Sequence, residues 1–327
     1  MKDAFKIISS PLQGYTDAVY RRLHRKYFGG VDNYYTPFLR IEKGGYRKRD
    51  LRDLAPENND ELTIPQILPA NSDEFLRMVE TLGELGWQEC DLNFGCPFPM
   101  LSKRGKGSGM LAHIETLETI AKELIDFSKE MRFSIKMRLG YDCLEQGLEC
   151  LEIFNNLDLK HIVCHSRLGI DKYTSPLRLD DFETFYNKCK QDLIYNGNVE
   201  SLEIAQVFKE RFPNIKGFAL GRSLLTHPWL AKEIQQNSDN EMISSIIKEF
   251  HDDLFRCYSE KLEGGEHQLL NKLKTIWDYL LTDSFPKQIK KIQKSSSLNK
   301  YTMNVNEVFK TGKLFELITF LYIPFTF

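Results

Sequence analysis

Short runs of apolar, β-branched and aromatic residues recur through the first two-thirds of the chain, and eight of them predict strands. They lie near Phe5–Ser10, Asn33–Phe38, Thr63–Leu68, Glu89–Asn93, Phe133–Arg138, His161–His165, Leu193–Asn196 and Lys216–Leu220. Between them, Ser72–Leu85, Ile114–Met131 and Ser201–Phe212 carry apolar positions three and four residues apart, which predicts helices. Asn71, followed by Ser72 and two acidic residues, is typical of a helix start.

Eight strand–helix repeats favour a (β/α)8 TIM barrel. An open doubly wound sheet is the alternative, but it needs fewer strands, and no Gly-x-Gly-x-x-Gly opens a first helix. Beyond about residue 230 the pattern becomes helical. The helices predicted there are Glu241–Lys261, Glu266–Thr282, Lys287–Lys294 and Asn306–Thr319. We therefore predict a barrel at residues 1–235 and a small all-helical domain at 236–327, whose apolar tail packs against the body.

Composition agrees with a barrel and a smaller unit. The chain has 327 residues, of which 42% are hydrophobic and 28% charged, as in soluble globular proteins. It shows neither a membrane-spanning run nor an apolar signal segment at its start, so we expect a cytoplasmic protein, and we expect it to be monomeric. Its seven cysteines include no Cys-x-x-Cys pair, which predicts reduced thiols and no metal site. A net charge of −2 leaves a nucleic-acid partner open.

Polar residues lie in or just after six of the eight predicted strands, where a barrel builds its active site. They are Gln66, Asn93, Cys96, Lys136, Arg138, His165, Arg167, Asn196, Gly197, Gly221 and Arg222. Such groups cost burial energy unless they are paired, so packing alone does not explain so many of them.

The last two predicted strands are followed by Asn196-Gly197 and Gly221-Arg222, a pattern that favours a phosphate-bearing cofactor. Glycines let a phosphate approach the backbone, and an arginine can hold it with two hydrogen bonds. Lys136 and His165 could add donors. Taken singly, Lys136 could instead pair with a core carboxylate, and His165 could be an ordinary core histidine.

Cys96 lies in a loop after a strand, between Gly95 and Pro97, whereas a structural cysteine usually lies within an apolar run, as Cys164 does. A buried core thiol is the alternative to a catalytic role. From the residues alone the thiol could act as a nucleophile or as an acid, and no histidine partner for a nucleophile is visible.

At this point the chain resembles the tRNA-dihydrouridine synthases, through motifs that follow in order from residue 8 to about 230. The motifs are Ser10-Pro11-Leu12-Gln13-Gly14-Tyr15-Thr16-Asp17, Gln66, Asp91-Leu92-Asn93-Phe94-Gly95-Cys96-Pro97, Gly105-Lys106-Gly107-Ser108-Gly109-Met110-Leu111, Lys136-Met137-Arg138-Leu139-Gly140, His165-Ser166-Arg167 with Tyr173, Asn196-Gly197 and Gly221-Arg222. Four positions depart from the usual family pattern: Ser10, Leu12, Ser166 and Asn198. Asn198 puts in doubt a carboxylate contact at its position.

The resemblance implies a flavoenzyme that reduces the C5=C6 bond of a flipped uridine in tRNA, with NADPH as the electron donor. The residues implied to contact FMN are Pro11, Leu12, Gln66, Lys136, His165, Asn196, Gly197, Gly221 and Arg222. Asn93 is implied to contact the uracil, and Arg138 is implied to contact the substrate. Hydride would pass from the reduced flavin to C6, and Cys96 would protonate C5. The stretch Tyr258–Tyr279 is most similar to the bacterial C-type branch, which modifies position 16.

Cations are needed to hold the tRNA backbone. Candidates are Lys103, Arg104 and Lys106 after the cysteine, and Lys287, Lys290, Lys291 and Lys294 in the helical domain, where a solvated helix face is the alternative. Arg47–Arg49 is also basic, and we expect it to be an exposed loop. Two other functions remain open: an FMN-dependent reductase of a free pyrimidine, similar to dihydroorotate dehydrogenases, and a non-catalytic RNA-binding barrel.

Overall fold

The computed structural model describes residues 5–237 and 244–310. These residues form two compact units. The first comprises residues 5–13 and 31–221, and the second comprises 14–30, 222–237 and 244–310. The two units divide at 221/222, and the segment at 14–30 belongs to the same unit as the later helices.

The strands, named in chain order, are short. They are β1 Lys6–Ser9, β2 Asn33–Tyr35, β3 Ile41–Glu42, β4 Gly45–Tyr46, β5 Thr63–Ile64, β6 Gln66–Ile67, β7 Glu89–Phe94, β8 Arg132–Arg138, β9 Leu159–His165, β10 Leu193–Asn196 and β11 Gly217–Leu220. Nine of them form one parallel sheet in the order β5-β2-β1-β11-β10-β9-β8-β7-β6, and β3 pairs with β4 as a hairpin.

The parallel sheet closes on itself. Its two end strands, β5 and β6, are consecutive in the chain and are separated by Pro65, which has no N–H to donate to a ladder. Together they form the predicted third strand, so the ring has eight positions, and a bridge between Leu39 and Ile67 adds a further contact. The predicted (β/α)8 barrel is confirmed.

The helices, also in chain order, follow most strands. They are α1 Ala18–Tyr27, α2 Lys48–Leu54, α3 Ser72–Glu84, α4 Pro99–Ser102, α5 Ile114–Phe127, α6 Leu144–Phe154, α7 Leu179–Lys188, α8 Leu202–Arg211, α9 Arg222–Thr226, α10 Leu230–Gln236, α11 Ser244–Lys261, α12 Gly265–Thr275, α13 Pro286–Gln293 and α14 Leu298–Lys310. Short 3-10 segments occupy Pro56–Asn58, Gly107–Ala112 and Ile276–Asp278. The start of α3 is as predicted, because the Asn71 side chain accepts a hydrogen bond from the Glu74 N–H at 2.9 Å.

Apolar side chains from six strands meet inside the barrel, because alternate residues of a strand point to the same face. This cluster consists of Ile8, Tyr35, Ile64, Val163, Ile194 and Ala219. The second unit has its own core, in which the Trp277 indole N–H and the His251 ring each contact the Tyr301 hydroxyl at 2.8 Å. In the same unit α1 packs on α11 through the rings of Tyr20 and Phe250.

Three local predictions were wrong. Arg47–Arg49 is not a plain loop: Lys48 begins α2, and Arg47 pairs with Asp50 at its start, at 2.7 and 3.0 Å. The helix predicted at Asn306–Thr319 begins earlier, at Leu298, and its part beyond residue 310 lies outside the described residues, as do the apolar tail and residues 241–243 of another predicted helix. The helix predicted at Glu266–Thr282 ends at Thr275.

Within residues 5–237 and 244–310, no helix is long and apolar enough to cross a membrane.

Candidate active site

The backbone around Cys96 is held by hydrogen bonds on both sides. The Asn93 side-chain oxygen accepts from the N–H groups of Gly95 and Cys96, at 3.0 and 2.8 Å. The carbonyl of Cys96 accepts from the backbone N–H and the hydroxyl of Ser108, both at 3.0 Å. The carbonyl of Gly95 accepts from Arg138 Nε at 3.0 Å. The loop that carries the thiol is therefore fixed by three side chains from different segments.

The Asn93 amide can have only one orientation, because its oxygen meets two N–H donors. Its nitrogen then donates to Gln66 Oε1 at 2.7 Å, and the Gln66 nitrogen donates to Asp91 Oδ2 at 2.6 Å. Asp91 and Asn93 lie two residues apart in β7, so both point into the barrel, where Gln66 of the neighbouring β6 meets them. One N–H of each amide is left for a ligand.

Beneath these amides a chain of buried polar groups crosses the barrel. Ser134 donates to Asp91 Oδ1 at 2.8 Å and lies 3.1 Å from the Tyr35 hydroxyl, which is 2.5 Å from His161 Nε2. Burial raises the pKa of Asp91 to about 7, although hydrogen bonds from Gln66 and Ser134 favour the charged form. Burial lowers the pKa of His161 to about 3, so this ring is neutral.

The Cys96 side chain packs against a cluster of Phe38, Leu68 and Leu101. Burial raises the pKa of the Cys96 thiol, against the opposing effects of the Phe98 backbone N–H and the charge of Arg138. The thiol is therefore protonated at neutral pH, which suits an acid rather than a nucleophile.

Lys136 lies near the carboxyl end of β8, opposite Asn93 in the adjacent strand. Its ammonium donates to Asn196 Oδ1 at 3.0 Å, and the Asn196 nitrogen donates to the Ala219 carbonyl at 2.6 Å. Burial lowers the pKa of Lys136 to about 8, and the charge of Arg138 acts in the same direction. Lys136 therefore pairs with an amide, not with a core carboxylate, and keeps N–H groups for a ligand.

Arg138 is fully buried and bonds two carbonyl groups, those of Gly95 and Leu168, the latter at 2.6 Å. Its guanidinium also lies 5.1 Å from the centre of the Tyr173 ring. The His165 ring meets the same tyrosine edge-on, with centroids 6.1 Å apart. The ends of β8 and β9 are thus joined through one half-exposed aromatic ring.

The two glycines of the predicted phosphate site differ. Gly197 has a φ of +143°, and a Cβ there would lie 2.6 Å from Ser166 Oγ, so the chain itself requires this glycine. A Cβ on Gly221 would meet only Leu12 and Ser10, at an ordinary 3.7 Å. Neither packing nor backbone conformation demands a glycine at 221.

The remaining predicted residues lie near these strand ends. Pro11 and Leu12 follow β1 and are partly exposed, and Arg222 is the first residue of α9. The departures from the family pattern are accommodated within the chain: the Ser166 hydroxyl lies 3.0 Å from the Tyr195 hydroxyl, and Asn198 Oδ1 accepts from Arg167 at 3.2 Å.

The cations after Cys96 separate into two kinds. Lys106 pairs with Glu74 of α3 at 2.8 Å and is largely buried, so its charge is already neutralised within the chain. Lys103 and Arg104 are exposed and form no ion pair with the described residues.

Asp91, Ser134, Tyr35, His161 and Ser108 were not predicted as site residues. The polar residues at alternate, inward positions of β7 were a usable signal for Asp91. The contact of Ser108 with Cys96 joins residues twelve positions apart and had no sequence signal. All seven cysteines are unpaired, and within the described residues no three metal-binding side chains converge.

The barrel brings together a protonated thiol, oriented amides and a buried lysine at its strand ends. This is the arrangement of an enzyme active site. Residues 7–315 match the family model described as "Dihydrouridine synthase (Dus)", and the chain belongs to this family.

Named relatives cover most of the chain. It is 26% identical over 267 residues to the "Probable tRNA-dihydrouridine synthase 2" of Bacillus subtilis, covering 78% of this chain and 79% of the relative. It is 25% identical over 291 residues to the "tRNA-dihydrouridine(16) synthase" of Pseudomonas syringae pv. tomato, covering 86% and 91%. A solved old yellow enzyme homologue from Zymomonas mobilis superposes with a TM-score of 0.49 and 10% identity, covering 74% of this chain and 92% of that one; no conclusion follows from a similarity this low.

Proposed function

We propose that this chain reduces the C5=C6 bond of a uridine in the D-loop of tRNA, using FMN and NADPH, with Cys96 as the proton donor. The observation that carries the proposal is the Cys96 loop. A thiol with a raised pKa lies in a loop whose backbone is held by three side chains, and one of these, Asn93, keeps an N–H for a carbonyl group. The names of the relatives supply the substrate class.

The residues present fit FMN. A flavin needs polar partners along its ring edge and donors for its phosphate. The barrel offers N–H groups of Lys136 and Gln66 inside the strand ends, and a glycine at position 221 that the chain's own packing does not require. When bound and reduced, FMN supplies the hydride that no side chain can.

The chain's own residues then orient the base and move one proton. Asn93 holds Gly95 and Cys96 with its oxygen and directs its free N–H at a carbonyl oxygen of the uracil. Cys96 Sγ holds the proton at neutral pH and gives it to C5. Arg138 keeps the carbonyl of Gly95 in place, so the thiol does not shift when the base enters. The uridine must leave its stack to reach this site.

The helical unit supports a tRNA substrate. Helix α13 buries Ile289 and Ile292, and the four predicted lysines, three in the helix and Lys294 directly after it, are exposed. Lys291 pairs with Glu307 at 2.9 Å, which leaves the other three for phosphates. We assign tRNA binding to this domain, predicted at residues 236–327, and position 16 as the target because relatives are named for it.

The test is to measure dihydrouridine, position by position, in tRNA from wild-type and deletion strains. Loss at one position supports the proposal and identifies the target, whereas unchanged dihydrouridine contradicts it. Reduction of free uracil or orotate by the purified protein, without action on tRNA, would favour the free-pyrimidine reductase.

Cys96→Ala tests the assigned acid. We expect a yellow protein that binds tRNA but reduces uridine at least about a hundredfold more slowly, since general acid catalysis contributes about 10²–10⁴-fold. Cys164→Ala, at a buried thiol outside the loop, is the control. Loss of flavin from Cys96→Ala would show that the residue has been misassigned, and a colourless wild-type protein would favour the non-catalytic barrel.

A further inference from the structure

The barrel unit exposes few large apolar side chains, and most of these side chains lie beside the candidate active site. Among its described residues, six large apolar side chains are at least half exposed: Phe98, Met100, Ile125, Ile170, Tyr173 and Val207. Ile125 and Val207 lie on helices α5 and α8, where single exposed apolar residues are ordinary. The other four lie in the loops after β7 and β9, at the carboxyl ends of the strands, so their exposure is concentrated where a substrate enters.

Phe98 and Met100 lie on a segment that is anchored next to the thiol. Leu101 is buried against Phe38 and Leu68, next to Cys96, and Ser102 is also buried, so α4 is anchored to the barrel by one side. The residues that point away are Phe98, 54% exposed, and Met100, 68% exposed.

Phe98 follows Cys96 by two positions in the chain, so its aromatic side chain begins close to the reacting group. Two residues span at most about 7 Å. A ring at position 98 can therefore reach the nucleotide next to the one whose base enters the site.

The charges on the same segment indicate the kind of partner. Lys103 and Arg104 follow α4, are exposed and form no ion pair with the described residues. An exposed aromatic ring next to free cations is the combination with which proteins bind single-stranded nucleic acid: bases stack on the ring while the cations meet the phosphates.

We propose that Phe98 is a stacking platform for the nucleotide adjacent to the target uridine, with Met100 beside it and the backbone held by Lys103 and Arg104. This inference rests on the proposed function. It adds that the exposed face of the Cys96 loop holds the strand open after the target has left its stack, and that residue 98 therefore influences which sequence around the uridine is accepted.

Steady-state kinetics on an unmodified tRNA transcript test the proposal. We expect Phe98→Ala to raise KM about 5- to 150-fold, the factor that corresponds to stacking of one base on an aromatic ring, with kcat changed less than about twofold. Phe98→Leu keeps the apolar bulk but not the flat ring and should behave like Phe98→Ala, whereas Phe98→Trp should keep or lower KM. Ile125→Ala, at an equally exposed apolar residue on α5, should leave both constants unchanged.

The outcomes separate this inference from the function on which it rests. A wild-type protein that reduces no uridine overturns the proposed function and this inference together. An active wild type with an unchanged KM in Phe98→Ala overturns this inference alone. Equal behaviour of Phe98→Leu and wild type would show that apolar contact, not stacking, is at work, which also overturns it. Unchanged thermal melting of each variant shows that the fold is intact.

A binding measurement gives the same answer without turnover. The indole fluorescence of Phe98→Trp should be quenched when the transcript is added, and quenching should weaken as salt increases. Ile125→Trp is the matched control and should show no quenching. Quenching that depends on protein concentration in the absence of RNA would show that this face meets a second copy of the chain, and it would overturn the proposal.

Discussion

The side-chain oxygen of Asn93 accepts a hydrogen bond from the backbone N–H of Cys96 at 2.8 Å, and this contact sets both the position of the thiol and the direction of the amide. With its oxygen used, Asn93 can offer a substrate only an N–H. In the proposed function this N–H meets a carbonyl oxygen of the uracil. Ser108 and Arg138 also fix the loop, because they donate hydrogen bonds to the carbonyl groups of Cys96 and Gly95, respectively.

Ser108→Ala should loosen the thiol without removing any reacting group. The Cys96 carbonyl loses its bond from the hydroxyl at 3.0 Å but keeps the one from the backbone N–H. We expect kcat to fall about tenfold, and the alkylation of Cys96 by iodoacetamide, followed by peptide mass mapping, to become faster. Ser102→Ala, at another buried serine of the same segment, is the control. Unchanged alkylation and kcat would show that Ser108 does not position the thiol.

Asp91 should make stability depend on pH. Its pKa is about 7 in the folded chain and 3.8 as the ordinary value, so between these values the folded state holds a proton that the unfolded state has released. The contribution of Asp91 to the free energy of unfolding is therefore largest below about pH 4. It falls by roughly 4 kcal/mol as the pH rises to about 7. The difference in urea unfolding between wild type and Asp91→Asn, measured from pH 4 to 8, isolates this contribution. A difference that does not vary with pH would contradict the raised pKa.

Lys136 should make cofactor binding depend on pH. Its pKa is lowered to about 8, so in the cofactor-free protein the ammonium loses its proton as the pH rises past this value. If the charge contributes to FMN binding, affinity is constant below about pH 7 and falls above about pH 8. Fluorescence quenching of FMN, titrated from pH 6 to 9.5, measures this. Lys136→Gln should bind more weakly with no such fall, and Lys122→Gln, on the exposed face of α5, should match wild type.

Two glycine substitutions should give opposite results. Gly221→Ala adds a Cβ that the chain accommodates at 3.7 Å, so it should melt normally yet bind FMN at least about tenfold more weakly if a phosphate approaches that backbone. Gly197→Ala places a Cβ 2.6 Å from Ser166 Oγ at a φ of +143°, and should lower stability by about 1–3 kcal/mol. Thermal melting and FMN titration of both variants test this. Normal FMN binding by Gly221→Ala would remove residue 221 from the phosphate site.

The sequence by itself determined the barrel and the end of the barrel at which the predicted polar residues gather. The residue pattern of a strand depends only on neighbours in the sequence. All eight predicted runs form strands, and Pro65 divides the third into two. Because parallel strands bring their carboxyl ends to one side, polar residues at those ends had to converge, and Gln66, Asn93 and Cys96 do so. The motif resemblance also led to the family that the comparison shows.

Other features were beyond any local signal. The boundary between the units depends on which helices pack together, and α1 packs with α11, more than two hundred residues later in the chain. Whether a cation is free depends on its neighbours in space: Lys106 is held by Glu74, while Lys103 and Arg104 are not paired in the described structure.

The deepest difference concerns what a polar residue does once it is buried. The sequence determined that Asn93 and Gln66 lie near the strand ends, since position along a strand sets which way a side chain points. Only the tertiary structure decided that they form one chain of hydrogen bonds, which leaves each amide a single N–H for a ligand. The reason is physical: a buried polar group must find a partner, and that partner is selected by the packing of strands that are distant in sequence.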